Sequence, residues 1–303
     1  MKTQLKHSIK AGVIAALALG LLSACNDDDS PETGTMSLAV TDAPVHNAAE
    51  VWVQFSGITV KRPNAEPQDI DFDGDVIDVD LMALTGSNSQ DLLNEEEMIA
   101  GPYNWIRRNV NADLDGELDS YVMTDEGEMV ELEVVSQQGL QLSSGFTITA
   151  NQHTSFIIDW DLNQGLTAPL NQEGWKLRPS LRITDETEYG TIAGTVDEGL
   201  LTAEGWTSNM AEDIGNEVYI YEGADVTPDD IDLGEGNPVA TGDITQDMNG
   251  FYTYSVTYLS PGEYTVAVTC QGLDDIPDEE NDIAFAGVQN ATVVDGEEEE
   301  VNF

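Results

Sequence analysis

Apolar residues recur at every second position in short bursts along most of this chain. Between residues 35 and 184 the bursts are MSLAVTDAP, EVWVQFSGITV, VIDVDLMAL, YNWIRRNVNA, MVELEVV, GFTITA, TSFIIDWDL and WKLRPSLRI. Successive side chains of a strand point to opposite faces, so a period of two buries one face and leaves the other to solvent. Runs rich in Val, Ile, Thr and aromatics, punctuated by Gly, Pro and Asn, therefore predict β-strands. A second series, GTIAGTV, NEVYIYEGA, PVATGDIT, GFYTYSVTYL, GEYTVAVTC, IAFAGVQNATVV and EEEVNF, fills residues 189–303. The predicted class is all-β, with two β-sandwich-like domains at 35–184 and 189–303. One segment of the first domain, SQDLLNEEEMIA, reads as a short helix whose Leu92, Leu93 and Met98 are expected to meet the core. The closing EEEE, with Val301 and Phe303 alternating beyond it, is expected to form an edge strand whose charges discourage pairing with another chain.

The ends set the compartment. MKTQLKHSIK, the apolar run AGVIAALALGLL and then Leu22-Ser23-Ala24-Cys25 have the order of an export signal, and the run is too short to span a bilayer permanently. Small residues before a cysteine match a lipobox, so residues 1–24 are expected to be removed and Cys25 acylated. Each buried methylene of an acyl chain contributes about 0.8 kcal/mol, which makes several chains on one cysteine a permanent anchor. Residues 25–34, polar and turn-rich, read as a flexible tether. By resemblance to bacterial lipoproteins, Asn26 after the cysteine favours the outer membrane.

The formal charge of −48 becomes three units more negative once Lys2, Lys6 and Lys10 leave with the signal, and no Lys or Arg occurs from Ile183 to Phe303. Binding phosphate depends on cationic side chains releasing counterions, so nucleic acid is excluded as a partner. A surface suited to salty surroundings is the first reading of this charge, and defined calcium sites the second. With Cys25 acylated only Cys270 remains, in the strand-like YTVAVTC, so neither a disulfide nor a thiolate zinc site is expected. His46 and His153 stand alone in unrelated contexts, and no serine motif accompanies them.

The stretch DIDFDGDVIDVD places Asp69, Asp71 and Asp73 at positions one, three and five of a calcium-type loop, with Gly74 at six and Asp80 at twelve. The same letters fit a β-hairpin turning at Asp73-Gly74, with Asp69, Asp71, Asp73 and Asp75 able to gather a calcium ion at the turn. Sugar stacking would use a flat aromatic face beside polar groups, and Trp160, Trp175 and Trp206 are the candidates, while Trp52 and Trp105 read as core. In FIIDWDL, however, alternation sets Ile158, Trp160 and Leu162 on one face and leaves Asp159 and Asp161 outward. Glycoside hydrolysis needs a defined carboxyl pair, which 58 acidic residues do not single out. Arg107, Arg108, Lys176, Arg178 and Arg182 are expected to pair with carboxylates and fix the first domain.

In the first domain MSLAVTDAP, VWVQFSGITV, VDLMALTG, AGPYNWIRRNVNA, IDWDLNQGL and KLRPSLRI, in that order, resemble the bacterial lipoprotein family catalogued as domain of unknown function 4382. In the second, GTIAGTV, GFYTYSVTYLSPGEYTVAV and VVDGEEEEVNF resemble a carboxypeptidase regulatory-like domain, a transthyretin-type sandwich. The resemblance implies exported, lipid-anchored β modules without catalytic residues to carry over. The expected function is a non-catalytic envelope binding or structural module, held on the membrane by its lipid and meeting an envelope protein or glycan. A calcium-dependent or carbohydrate-binding adhesion module is the alternative, and an acidic hydrolase the third reading.

Overall fold

The computed structural model describes residues 31–303 apart from 44, 46–47, 73–74, 85–87, 137–139, 144, 169–173, 203–214, 233, 235 and 278. The signal segment, Cys25, Asp73 and Trp206 lie outside the described residues. From Glu32 to Phe303 the chain forms one compact unit, within which residues 33–185 and 190–300 build separate sheets. The fold is all-β, as the alternation requires.

The N-terminal part has two principal sheets. In the first, strand Thr33–Ala43 sits between Gln90–Ile99, antiparallel to it, and His153–Asp161, parallel to it, and Leu181–Asp185 closes the far edge. The second is built on the long strand Glu50–Lys61. Along one edge run Gln68–Asp71 and Ile77–Asp80, and along the other Trp105–Asn111 and Tyr121–Met123. Val40, Val53, Phe55, Leu92, Trp160 and Leu177 share one buried cluster, and Met36, Leu38, Ile58, Ile106, Phe156 and Ile158 another. Each cluster draws on both sheets, so the core lies between them.

Two local expectations are overturned. The segment read as a helix is the edge strand Gln90–Ile99. A register shift against Thr33–Ala43, in which Leu93 faces Leu38 but Asp91 faces Ala39, lets the adjacent Leu92 and Leu93 both turn inward, which breaks the period-two pattern. The fold's short α-helices are single turns elsewhere, at Leu162–Gly165 and Glu198–Leu201. Nor is DIDFDGDVIDVD a hairpin, because its flanking runs pair with Glu50–Lys61 and not with each other. Gly57 faces Asp71 and Phe55 faces Ile77, so the two runs lie end to end along one edge of that strand, interrupted opposite Ser56. The real turn lies earlier, where Lys61 leads through Arg62–Pro67 to Gln68, with Asn64 at φ 56°.

In the C-terminal part, Gly190–Val196 and Tyr252–Leu259 pair in one sheet while Glu217–Glu222 and Gly262–Thr269 pair in the other. Ser260-Pro261 and Asp295-Gly296 carry the chain from sheet to sheet. Glu298–Glu300 pairs parallel to Gly190–Val196 at a sheet edge, and Val301 is buried behind it, so the acidic run is a closing strand as expected. Gly194 makes this closure possible, since a Cβ there would sit 1.8 Å from the Val301 carbonyl oxygen. Cys270 is a buried free thiol whose pKa burial pushes up to about 12.

Candidate functional site

Strand His153–Asp161 turns Phe156, Ile158 and Trp160 into the core, which leaves Ile157, Asp159 and Asp161 on the sheet's outer face. From Ile157 to Asp161 that face is largely covered. Ile157 and Ala39 pack against Tyr258 of the C-terminal part, and Asp159 and Asp161 are 7% and 4% exposed. The two parts are thus joined along a polar seam.

Register places Arg182 opposite Asp159, and their side chains form an ion pair at 2.6 Å. The same guanidinium crosses the seam, donating to the carbonyls of Val239 at 3.3 Å and Thr257 at 3.0 Å. Two residues on, the Thr184 hydroxyl donates to the Tyr258 carbonyl at 2.9 Å. Asp161 caps the turn Leu162–Gly165, its carboxylate accepting from the amide and side chain of Gln164 at 3.2 and 2.8 Å. It also accepts from the amide and hydroxyl of Thr241, at 2.9 and 3.1 Å. Burial raises the pKa of both carboxyls. Arg182 opposes the rise at Asp159, and the nearby charge of Asp159 adds to it at Asp161.

Beside the seam runs a groove of about 770 Å³, walled by Asp42, Asp159 and Arg182 of one part and by Thr241, Asp243 and Glu300 of the other. Arg182 is the one cation among its lining residues, and it is committed to Asp159.

The other expected residues are scattered. Asp69 accepts from the Thr59 hydroxyl at 2.6 Å, while Asp71 and Asp75 are exposed. Among the described residues no group of three or more His, Cys, Asp or Glu is placed to hold a metal ion. Trp160 is fully buried, with Phe55 edge-on at 6.2 Å and the Arg108 guanidinium over its ring at 5.3 Å. Trp175 is buried in the same cluster. Neither indole presents a face to a sugar, because the inward side of a strand carries its large apolar residues. Trp52 and Trp105, read as core, are instead only partly buried on the outward face of their strands.

Arg108 departs from the expected pairing with carboxylates. It is buried against Trp160, donates to the Leu140 carbonyl at 3.0 Å, and burial lowers its pKa to about 9. The acidic loop DVTPDDIDLGEGN follows strand Glu217–Glu222 in the C-terminal part. Buried Asp275 braces it, accepting from the Tyr219 hydroxyl at 2.7 Å and from the Ile231 amide at 3.1 Å. Burial pushes Asp275 up to about 6 against these donors, and the neighbouring charges of Asp230 and Asp232 add to the rise.

Residues 33–179 match the family model described as Domain of unknown function (DUF4382). This stretch is a DUF4382 domain. The seam therefore joins the DUF4382 domain, with Arg182 just beyond the matched residues, to the C-terminal part. No curated protein matches the chain. Among solved structures, the Bacillus anthracis TIE protein is 14% identical at a TM-score of 0.19, covering 89% of this chain and 34% of its own. A leucine-rich repeat protein from Bacteroides thetaiotaomicron is 13% identical at 0.23, covering 90% and 26%. The minor pilin GBS52 of Streptococcus agalactiae is 10% identical at 0.19, covering 88% and 94%. The chain thus spans about a third or less of the length of the first two.

Proposed function

We propose that this protein is a non-catalytic module of the cell envelope, acylated at Cys25 and held on the outer membrane, in which a DUF4382 domain and a carboxypeptidase regulatory-like domain serve binding or structure. One observation carries the non-catalytic reading. The buried carboxylates beside the groove, Asp159 and Asp161, are bonded into the seam through Arg182, Gln164 and Thr241. A general acid or nucleophile has to reach a substrate, and these carboxylates are largely buried, Asp159 held by Arg182 and Asp161 by Gln164 and Thr241. The anchoring rests on the order of the first 25 residues, a charged start, an apolar run and Leu22-Ser23-Ala24-Cys25.

The test is metabolic labelling of the full chain with an alkyne-bearing palmitate, followed by membrane fractionation. Label and membrane association are expected in the natural chain and lost in Cys25→Ser, and retention of both in the variant would overturn the anchor. Hydrolysis of an oligosaccharide or peptide that disappears in Asp159→Asn would overturn the non-catalytic reading.

A further inference from the structure

The outward face of the sheet built on Glu50–Lys61 carries a different kind of surface. Val51, Val53 and Phe55 point into the core, so Trp52 and Gln54 point away from it. In register with Trp52 on the neighbouring strand is Tyr121, also partly buried, while Val122 beside it turns inward. The two rings lie 6.4 Å apart with planes within 22° of each other. The indole N–H donates to Glu50 at 2.6 Å, which fixes the ring's rotamer.

One step along the strand a polar row crosses three strands. The Gln54 amide donates to Asp78 at 2.9 Å, and the Asn111 amide donates to the Gln54 side-chain oxygen at 2.6 Å. Burial and the carboxylates of Glu50, Asp80 and Asp78 raise the Tyr121 hydroxyl above its ordinary pKa, so it remains a donor.

We infer that this face is a glycan-binding platform, with Trp52 and Tyr121 stacking on the apolar face of a pyranose and Gln54, Asn111 and Asp78 meeting its hydroxyls. Flat rings give a sugar's C–H face an apolar contact, and amides beside a carboxylate supply both donors and acceptors for vicinal hydroxyls. The groups are preorganised, since each polar side chain is already tied to its neighbour, which lowers the ordering cost of binding. Trp105 has no such role, because the Arg107 guanidinium covers its ring at 5.6 Å. This assignment names a ligand class for the binding module proposed above and rests on that reading.

The test is calorimetric titration of the full chain in detergent with cellohexaose, chitohexaose and mannohexaose, and with octalysine as the peptide arm. At least one hexasaccharide is expected to bind, at least tenfold more weakly to Trp52→Ala and to Tyr121→Ala, with Trp52→Phe retaining part of the affinity. Gln54→Ala should weaken binding without touching the rings, so the platform stays testable if Trp52→Ala misfolds. No hexasaccharide binding, binding indifferent to these variants, or binding of octalysine alone would overturn the platform while leaving the anchored module intact. Hydrolysis of a bound hexasaccharide would overturn the non-catalytic reading and leave the platform standing.

Discussion

Thr241 gives both its amide and its hydroxyl to the carboxylate of Asp161, a residue 80 positions earlier and across the seam, at 2.9 and 3.1 Å. Asp161→Ala would leave the buried Thr241 amide without its acceptor. A lost partner of this kind costs about 1–3 kcal/mol. Urea unfolding of the full chain should register that loss.

Arg182 neutralises Asp159 and reaches two carbonyls of the C-terminal part. Arg182→Gln leaves a carboxylate buried without its counter-ion, a change that costs about 3–5 kcal/mol in buried pairs. The double variant Asp159→Asn/Arg182→Gln should recover much of it. Hydrogen exchange at the Thr241 amide, which is bonded across the seam, should quicken in the single variant while the Val53 amide stays protected. Equal acceleration at both amides would mean general destabilisation and no special role at the seam.

Trp160 and Arg108 predict opposite outcomes from neighbouring sites. Trp160→Ala empties a fully buried position and should cost about 3–5 kcal/mol. Arg108→Met exchanges a buried cation for an apolar chain of similar reach, and stability should stay within about 1 kcal/mol or rise. Thermal unfolding of the two variants distinguishes them.

Asp275 should make the C-terminal part sturdier in mild acid. Its folded pKa, about 6, lies above that of an exposed aspartate, so the folded state holds the proton more tightly. That contribution is fully present below the unfolded pKa and is lost as pH rises through about 6. The melting temperature should therefore fall between pH 5 and pH 7, by about 2–4 °C for each kcal/mol involved. Asp275→Asn should flatten this slope.

Alternation made most of the strands legible, and it also set Asp159 and Asp161 outward correctly. What covers them was not legible, since Thr241 and Tyr258 arrive from distant sequence and no local pattern announces them. Leu92 and Leu93 hid a strand for a related reason. A register slip at Leu92, between the pairs Leu38 with Leu93 and Ala39 with Asp91, buries two consecutive residues, and a pair of leucines with a methionine close behind also suits a helix. DIDFDGDVIDVD misled through its own coherence. Its runs alternate around Asp-Gly as a hairpin's do, yet both pair with the preceding strand Glu50–Lys61. Trp160 was a sugar candidate for its flanking aspartates, and the alternation that sets those aspartates outward is what buries it, while Trp52, read as core from its strand-like run, is only partly buried.

Strand Thr33–Ala43 is held on both sides, on one of them by a parallel partner in which Thr35 meets His153, 118 residues later. A chain that leaves the ribosome or a translocon from its N-terminus releases this strand first and its partner much later. Until His153–Asp161 emerges, Met36, Leu38 and Val40 have no completed core to enter, and one strand edge stays open. Pairings this remote also form slowly, because loop closure precedes any gain from contact. This strand therefore waits longest for its partners, and truncations ending before His153 should aggregate and not fold to a smaller domain.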